Sequence, residues 1–224
     1  MTDGGRWIDV APERLAGWLD TFAQRHGQAA TEPGPAVMTF RAADGAVAQC
    51  HVPFPPLADA TSAGAQQIAA HAAVGRTVGV LLVRLGGYAA GVFTGPGAQL
   101  AASKVGSRLV HGRNAAGGTS QHRFARRREK QAAEALAAAA DTAAAVLGPY
   151  AGKLDAVVLG GDRRAIAGLR DDPRLASYFE LAVERFLTVP DPRLAVLRGA
   201  PRLFRAVRIR LLDPPAGGSS PPAS

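Results

Sequence analysis

Residues 78–85, VGVLLVRL, are almost continuously apolar, and two glycines follow them. An apolar run of this length, bounded by turn residues, predicts a central strand that is covered on both faces. Residues 88–93 predict its antiparallel partner. The apolar run 154–161 ends in two glycines and precedes a short helix predicted at 163–169, which is the pattern of an α/β unit. The sequence therefore predicts an α/β fold, in which a mixed sheet is flanked by helices.

A long helix is predicted from about Gln121 to Leu147, where Gly148-Pro149 ends it. Its predicted core-facing stripe consists of Phe124, Ala132, Leu136, Ala140, Ala143 and Leu147. Further along the chain, residues 174–186 predict another helix. Residues 203–212 alternate apolar side chains with arginines and predict a final, partly exposed strand.

The pattern divides the chain into three segments. Residues 1–75 predict a helix at 11–27 and a hairpin of strands 37–40 and 47–52, packed on the core. Residues 76–212 form the α/β domain. Residues 213–224 have the composition of a disordered tail.

Composition excludes several classes of function. One cysteine, Cys50, rules out an internal disulfide framework, and the five histidines are scattered, so the sequence predicts neither a structural metal nor a cofactor. Cys50 itself is interpreted as a small buried strand residue. The first 15 residues lack a secretory signal pattern, and no run of about 18 apolar residues exists to span a membrane. The sequence therefore predicts a cytoplasmic protein that does not bind membranes.

The Lys and Arg residues are concentrated in residues 104–130. This segment contains eight of them and one acid, Glu129, so it carries +7 of a formal net charge of +8. A positive charge this local is typical of proteins that contact a polyanion, most often nucleic acid. Within the segment, residues 114–120 are small and flexible, and Gln121 follows them. The sequence therefore predicts a Gly-rich tip that reaches into a narrow, negatively charged site.

The helix predicted from Gln121 carries cations at its N-terminal end, where the backbone dipole is itself positive. Each cation there opposes the dipole, at a cost of about 0.3–1 kcal/mol, and an anionic ligand would offset that cost. The cations are Arg123, Arg126, Arg127, Arg128 and Lys130. The sequence lacks the GxxxxGK[ST] and GxGxxG phosphate motifs. Nucleic-acid contact is favoured over a plain solvated face.

The same stretch carries a family resemblance. His111-Gly112-Arg113 is followed by Gly117-Gly118-Thr119-Ser120-Gln121 and then by Arg123-Phe124-Ala125-Arg126. This order resembles the middle domain of eukaryotic class-one peptide chain release factors, where a His-Gly-Arg-Gly-Gly-Gln loop runs into an Arg-Phe-Ala-Arg-rich helix. It is more similar to the bacterial, actinobacterial-type Vms-like release factors, whose loop carries Gly-Gly-Ser-Gln. The resemblance implies a release-factor middle-domain-like (ribonuclease-H-like) core with an N-terminal helix-hairpin appendage.

The resemblance also implies an activity, namely peptidyl-tRNA hydrolysis that frees nascent chains from stalled large ribosomal subunits. The implied partners are the large subunit and peptidyl-tRNA, and we expect a monomer. A glutamine amide donates and accepts hydrogen bonds without titrating near neutral pH, so it would position water and stabilise an oxyanion. The implied catalytic residues are Gln121, Gly117, Gly118, Thr119 and Ser120. The implied RNA-binding residues are Arg108, His111, Arg113, Arg123, Arg126, Arg127, Arg128 and Lys130.

Three alternatives stay open. In the Vms-like branch, the resemblance implies that the loop can instead cut tRNA near its 3′ CCA end, with a ribose 2′-OH attacking the adjacent phosphate. Arg113 would contact phosphate under either chemistry. The second alternative is a non-catalytic ribosome- or RNA-binding module. The third, a DNA-binding face, needs a helix-turn-helix pairing that the sequence does not contain.

Three acids follow the strand predicted at 154–161. Asp162, Asp171 and Asp172 lie where catalytic acids occur in α/β folds, but loop acids are more often simply solvated. Trp7, Trp18 and Phe22 are interpreted as packing residues.

Overall fold

The computed structural model describes residues 5–57, 64–84, 86–108 and 121–214, and of residues 121–128 it describes the backbone alone. The described residues fall into two compact units. One consists of those up to Val74 together with those from Arg205 onward, and the other is Gly75–Phe204. In chain order the elements are β1 (Arg6–Val10), α1 (Leu15–His26), β2 (Ala29–Glu32), β3 (Val37–Ala42), β4 (Val47–His51), α2 (Ala65–Ala73), β5 (Val78–Arg84), β6 (Gly87–Thr94), β7 (Gln99–Ser107), α3 (Gln121–Leu147), β8 (Ala156–Gly161), α4 (Arg163–Gly168), α5 (Ala176–Glu180), β9 (Ala182–Leu187), α6 (Leu194–Phe204) and β10 (Val207–Leu212).

The first unit is an antiparallel sheet with two helices. Its strand order is β1-β10-β4-β3-β2, so β10 joins β1 to the predicted hairpin. Inward-facing residues of the sheet pack with side chains of the two helices in one core, whose members include Met38, Ile209, Leu15, Phe22 and Ile68. In the first half of β10, Val207 and Ile209 are buried and Arg208 between them is exposed, because only one face of the strand meets the core.

Most of the N-terminal prediction is confirmed. Helix α1 and the hairpin of β3 and β4 lie where they were expected. The hairpin turn is held by Asp44, whose Oδ1 accepts the Ala46 N–H at 2.9 Å and whose Oδ2 lies 2.8 Å from His26 Nδ1. Residues 28–35 are rich in Gly, Pro, Ala and Thr, a composition that predicts a loop. Instead they contain β2, because backbone pairing with β3 stabilises Ala29–Glu32 as a strand.

The C-terminal strand, β10, belongs to the first unit and not to the α/β domain in which the sequence predicted it. Residues 76–212 were expected to form one α/β domain. The structure places β10 in the sheet of the first unit, where Ile209 pairs with Ile8 on one side and Cys50 on the other. The strand is also shorter than expected, because residues up to Phe204 belong to α6.

Cys50 is buried in β4, as expected. Burial in this apolar core raises the pKa of its thiol to about 12. The residue therefore acts as a small hydrophobe. Phe22 is buried and Trp18 is half-buried and stacked on it, whereas Trp7 is 41% exposed. Trp18 and Phe22 of α1 are therefore packing residues of the core. Trp7 packs on the outer side of an edge strand, where its ring centroid lies 5.0 Å from that of His51 and 4.2 Å from the Arg208 guanidinium.

The second unit is a mixed sheet with helices on both faces. Its strand order is β7-β6-β5-β8-β9, in which β5, β7, β8 and β9 run in one direction and β6 runs antiparallel to them. Successive residues of a strand point to opposite faces of the sheet. Leu81 and Val83 of β5 face the core that contains α3 and α4. On the other face, Gly91 of β6, which pairs with Val80, contacts Leu197 of α6. The predicted α/β class and mixed sheet are confirmed.

Helix α3 begins and ends where the sequence predicted, but one residue of the predicted core-facing stripe does not face the core. Ala140, Ala143 and Leu147 are buried and Leu136 is partly buried, whereas Ala132 is exposed. The side chain of Phe124 lies outside the described part. Among the side chains that the structure describes, the stripe therefore contacts the core along the C-terminal half of the helix.

Two local predictions in this unit are wrong. The helix expected at 174–186 ends at Glu180, and residues 182–187 form β9 because they pair with the buried strand β8. The sequence also predicts two short strands, at 99–104 and at 107–111, but Gln99–Ser107 forms one strand, β7. Among the described residues, no helix is long and apolar enough to cross a membrane, and no cluster of His, Cys, Asp or Glu could hold a metal ion.

Candidate functional site

The strand that leads to the Gly-rich loop ends in a fixed position. Ser107, the last residue of β7, pairs with Gly87, and the backbone N–H of Arg108 donates to the Gly86 carbonyl at 2.8 Å. The Arg108 side chain is exposed. The chain therefore leaves the sheet beside the turn between β5 and β6. Residues 109–120 lie outside the described part.

The direction of α3 follows from its last residue. Leu147 Cδ2 lies 3.1 Å from the point where a Cβ on Gly79 would stand, and Gly79 is the second residue of β5. The C-terminus of α3 is therefore at the beginning of β5. Its N-terminus, Gln121, points toward the end at which β5, β8 and β9 finish. In α/β sheets, ligands bind outside the carboxyl ends of the parallel strands.

Helix α3 is longer than the sheet that supports it. Its 27 residues span about 40 Å at a rise of 1.5 Å per residue, whereas the seven residues of β5 span about 23 Å. Of the side chains of α3 that the structure describes, which begin at Glu129, the first buried one is Ala135, and none from 129 to 134 is buried. The N-terminal half of the helix therefore projects past the core.

Both ends of the Gly-rich segment are thus attached to one edge of the second unit. One end follows β7, and the other begins the projecting part of α3. A family model described as "Actinobacteria/chloroflexi VLRF1 release factor" matches residues 76–210, which include this segment, its strand and its helix. The chain belongs to this release factor family.

A crystal structure of an archaeal translation termination factor, aRF1, is similar with a TM-score of 0.44 and 14% sequence identity. The similarity covers 89% of this chain and 66% of that one, so this chain spans slightly less than two thirds of the archaeal factor's length. No curated protein sequence matches the chain.

Family membership confirms the resemblance read from the loop sequence and supports a release-factor-like role. It leaves the individual site residues as predictions. Of these, His111, Arg113, Gly117, Gly118, Thr119 and Ser120 lie outside the described part. The backbone is helical at Gln121, Arg123, Arg126, Arg127 and Arg128, whose side chains are not described.

Lys130 is the one predicted RNA-binding residue of α3 whose side chain is described. The side chain is 80% exposed, and its Nζ lies 3.9 Å from Glu134 Oε1, one helical turn further on. An ion pair this long and this exposed contributes little to stability. The ammonium group therefore stays available to an anion that approaches the projecting helix.

The three loop acids have structural roles or are solvated. Asp162 Oδ1 accepts the backbone N–H groups of Arg164 at 2.7 Å and Ala165 at 3.2 Å, which caps α4. Asp172 caps the turn at 173–175 and is paired with Arg174, and the side-chain hydrogen bond from Arg174 lowers the pKa of its carboxyl. Asp171 is exposed. Capping accounts for Asp162 and Asp172 without a role in chemistry.

Two further cations lie at this edge and were missed in the sequence. Arg84 ends β5, and Arg193 immediately precedes α6. Arg84 is the one charged residue in the apolar run 78–85. A charge at the end of a buried parallel strand was the signal that could have identified it, because that is where ligands meet such sheets.

Proposed function

We propose that this release factor family member hydrolyses the ester of peptidyl-tRNA on stalled large ribosomal subunits. The observation that carries the proposal is the projecting half of α3, which starts at Gln121 and lies inside the family match at 76–210. Gln121 lies about 20 Å along the helix axis from Ala135, the first buried residue among the described side chains, and a helix of this length is suited to carry a loop into a deep RNA site. The folded core of the second unit would remain outside that RNA site.

The proposed chemistry rests on Gln121 and the glycines before it. Release requires a water molecule held against the ester carbonyl and hydrogen bonds to the oxyanion that forms. The Gln121 amide supplies both a donor and an acceptor, and its ionisation state does not change near neutral pH. Gly117 and Gly118 let the backbone adopt conformations and approaches that a side chain would prevent.

The cations of α3 are proposed to hold the loop on RNA. The helix carries Arg123, Arg126, Arg127, Arg128 and Lys130 within its first ten residues. These charges are unfavourable beside the positive end of the helix dipole, and phosphate groups would remove that penalty. Binding through phosphates also predicts an affinity that falls steeply with salt concentration. Arg108 and Arg113, which flank the loop, are proposed to contact phosphate as well.

The decisive experiment uses purified large subunits that carry peptidyl-tRNA. Wild-type protein is compared with Gln121→Ala and with Gln131→Ala, which makes the same chemical change in the same helix outside the proposed site. We expect Gln121→Ala to lower the release rate by about 10²–10³-fold, the scale for loss of an oxyanion donor, while subunit binding is retained. Gln131→Ala should release peptide within about twofold of wild type.

The tRNA product separates the proposal from its alternatives. Full-length deacylated tRNA on a denaturing gel supports ester hydrolysis. A shortened tRNA would show instead that the loop cuts near the CCA end. Unchanged peptidyl-tRNA in the presence of bound wild-type protein would show a non-catalytic binding module. Normal release by Gln121→Ala would overturn the assignment of that residue.

A further inference from the structure

A cleft opens at the carboxyl edge of the second sheet, on the side of α6. Its volume is about 390 Å³, within the range of roughly 300–1,000 Å³ that small ligands occupy. The cleft is open to solvent. Its described lining residues are Arg84, Pro190, Asp191, Arg193 and Val196.

Arg84 lines this cleft and is held in position by a hydrogen bond to the backbone. Its Nη1 donates to the Val189 carbonyl at 2.8 Å, and the side chain is half-buried. A guanidinium carries five N–H donors, so one backbone bond orients the group and leaves the others for a ligand. A planar, oriented guanidinium matches the geometry of a phosphate.

Arg193 supplies a second, exposed cation. Its carbonyl accepts the Leu197 N–H at 2.9 Å, which makes it the first residue to join the helical hydrogen bonding of α6. Helix α6 runs from this edge toward the opposite one, since Leu197 packs near Gly91 and Phe204 packs on Phe93. Both arginines and the positive end of α6 therefore lie beside the cleft, which favours an anion.

The remaining lining residues argue against a bare phosphate ion. Asp191 places a carboxylate in the same cleft, which repels a free anion but accepts hydrogen bonds from sugar hydroxyls. Pro190 and Val196 offer an apolar wall to a sugar or a base. A phosphate joined to a ribose satisfies all of these groups at once.

The cleft lies close to the root of the Gly-rich loop. Gly87 follows the turn after Arg84, and a Cβ on Gly87 would stand 3.3 Å from Pro192 Cδ, so the segment that lines the cleft contacts this turn. Gly87 also pairs with Ser107 at the end of β7. Arg84 is therefore about two strand spacings, or roughly 10 Å, from the strand that leads to the loop.

We propose that this cleft binds one ribonucleotide of a single-stranded RNA segment beside the loop. Arg84 and Arg193 hold its phosphate, and Asp191 accepts a ribose hydroxyl. The inference rests on the proposed function for its setting, since RNA that meets the projecting helix also passes this edge. It assigns a contact that is separate from the loop and from the cations of α3.

Binding of the full-length chain to a short, fluorescently labelled single-stranded RNA tests the proposal. Arg193→Ala is compared with Arg198→Ala, which removes the same charge from an exposed position of α6 outside the cleft. We expect Arg193→Ala to weaken binding about tenfold and to reduce the salt slope by about 0.7, the value for one phosphate contact on a single strand. Arg198→Ala should stay within about twofold of wild type.

A DNA strand of the same base sequence tests the ribose contact. Wild type should prefer RNA, and Asp191→Ala should lose that preference because the 2′-OH distinguishes the two strands. Equal weakening by Arg193→Ala and Arg198→Ala, or equal affinity of wild type for the two strands, would overturn the proposal. Arg84→Lys, which keeps the charge but loses the planar donors, should weaken binding as Arg193→Ala does.

Release assays distinguish the failure of this inference from that of the proposed function. In the variant Arg193→Ala we expect a raised KM and an unchanged kcat, because the cleft lies away from the reacting ester. If wild type binds RNA through the cleft but frees no peptide, the proposed hydrolase activity is wrong and the proposed RNA contact in the cleft is retained. If Gln121-dependent release is intact and Arg193→Ala changes neither KM nor RNA affinity, the proposed RNA contact in the cleft is wrong and the proposed hydrolase activity is retained.

Discussion

The ring of Tyr88 lies across Gly106, the residue directly opposite it on the neighbouring strand. A Cβ on Gly106 would stand 2.5 Å from Tyr88 Cε2 and 2.6 Å from its hydroxyl oxygen. Tyr88 is 8% exposed and belongs to the core that contains α3. Because Gly106 lies two residues before Arg108, this contact fixes the end of β7 against the core at the point where the Gly-rich segment begins.

Gly106→Ala should therefore damage both stability and release. The added carbon must displace a buried ring, which costs about 1–3 kcal/mol of the free energy of unfolding. Urea unfolding measures this cost, and the release assay should show a lower kcat because the loop root has moved. Gly97→Ala is the control, since its nearest atom would be 3.9 Å away. Equal urea midpoints for the two variants would show that Tyr88 moves freely.

The ion pairs of Arg174 predict a specific pH dependence. Arg174 Nη2 lies 2.7 Å from Asp172 Oδ2, and Nη1 lies 2.8 Å from Asp141 Oδ1 of α3. The Arg174 side-chain hydrogen bond lowers the pKa of Asp172. Stabilisation from a lowered carboxyl pKa is complete above the unfolded value, about 3.9, and is lost as the pH falls through the folded value.

Arg174→Ala should accordingly lower the urea midpoint near pH 6, and its difference from wild type should shrink as the pH falls below about 4. Arg170→Ala is the control, because its guanidinium lies 4.6 Å from the centroid of the Phe179 ring, which does not titrate. Its effect should be constant over the same pH range. A pH-independent effect of Arg174→Ala would contradict the assignment to Asp172.

Cys50 provides a probe of the first unit. It is the chain's single cysteine, and burial raises its thiol pKa to about 12. The thiolate is the reactive form, so a thiol reagent at pH 8 should label the native protein at least 100-fold more slowly than the urea-unfolded protein. Labelling of native protein at the unfolded rate would show that the strand β4 is accessible.

The same shift predicts reduced stability in alkali. An unfolded thiol ionises near pH 8.5, whereas the folded one resists ionisation to about 12. Stability contributed by the buried thiol is complete below pH 8.5 and is lost as the pH rises toward 12. Cys50→Ala should show a smaller loss of stability over that range.

Helices and strands whose hydrophobic pattern and end residues are local in sequence were predicted correctly. The apolar run of β5 and the glycines after it predicted a central strand, and Gly148-Pro149 correctly ended α3 at Leu147. Family membership was carried by a few residues of the loop and helix, because their order is specific. The projection of α3 could not be predicted, since it depends on where Leu147 meets Gly79.

Elements that depend on distant partners were missed or misplaced. Strand β1 forms by pairing with β10, which lies about two hundred residues later in the chain. The local sequence at Arg6–Val10 therefore did not predict a strand. Residues 182–187 are helix-compatible alone, but Gly160 of the buried strand β8 pairs with Leu187 and makes them a strand. The cleft was missed for the same reason, because Arg84 and Arg193 meet only in the folded unit.

The projecting half of α3 makes a last, two-part prediction. Reversal of three charges, by Arg126→Glu, Arg127→Glu and Arg128→Glu, should abolish association with large subunits at physiological salt, because phosphate contacts become repulsions. The same variant should unfold at an unchanged or slightly higher urea concentration. No described side chain from 129 to 134 is buried, and acids near a helix N-terminus are more favourable than cations.

The control changes charge equally in the first unit, by Arg6→Glu, Arg14→Glu and Arg25→Glu, all at exposed positions. Sedimentation of each protein with large subunits measures association, and urea unfolding measures stability. We expect the control to bind within a few fold of wild type, since α3 retains its cations. Comparable loss of binding in both variants would show that net charge, rather than α3, drives association. A lowered urea midpoint of the α3 variant would show that these arginines stabilise the fold instead of contacting RNA.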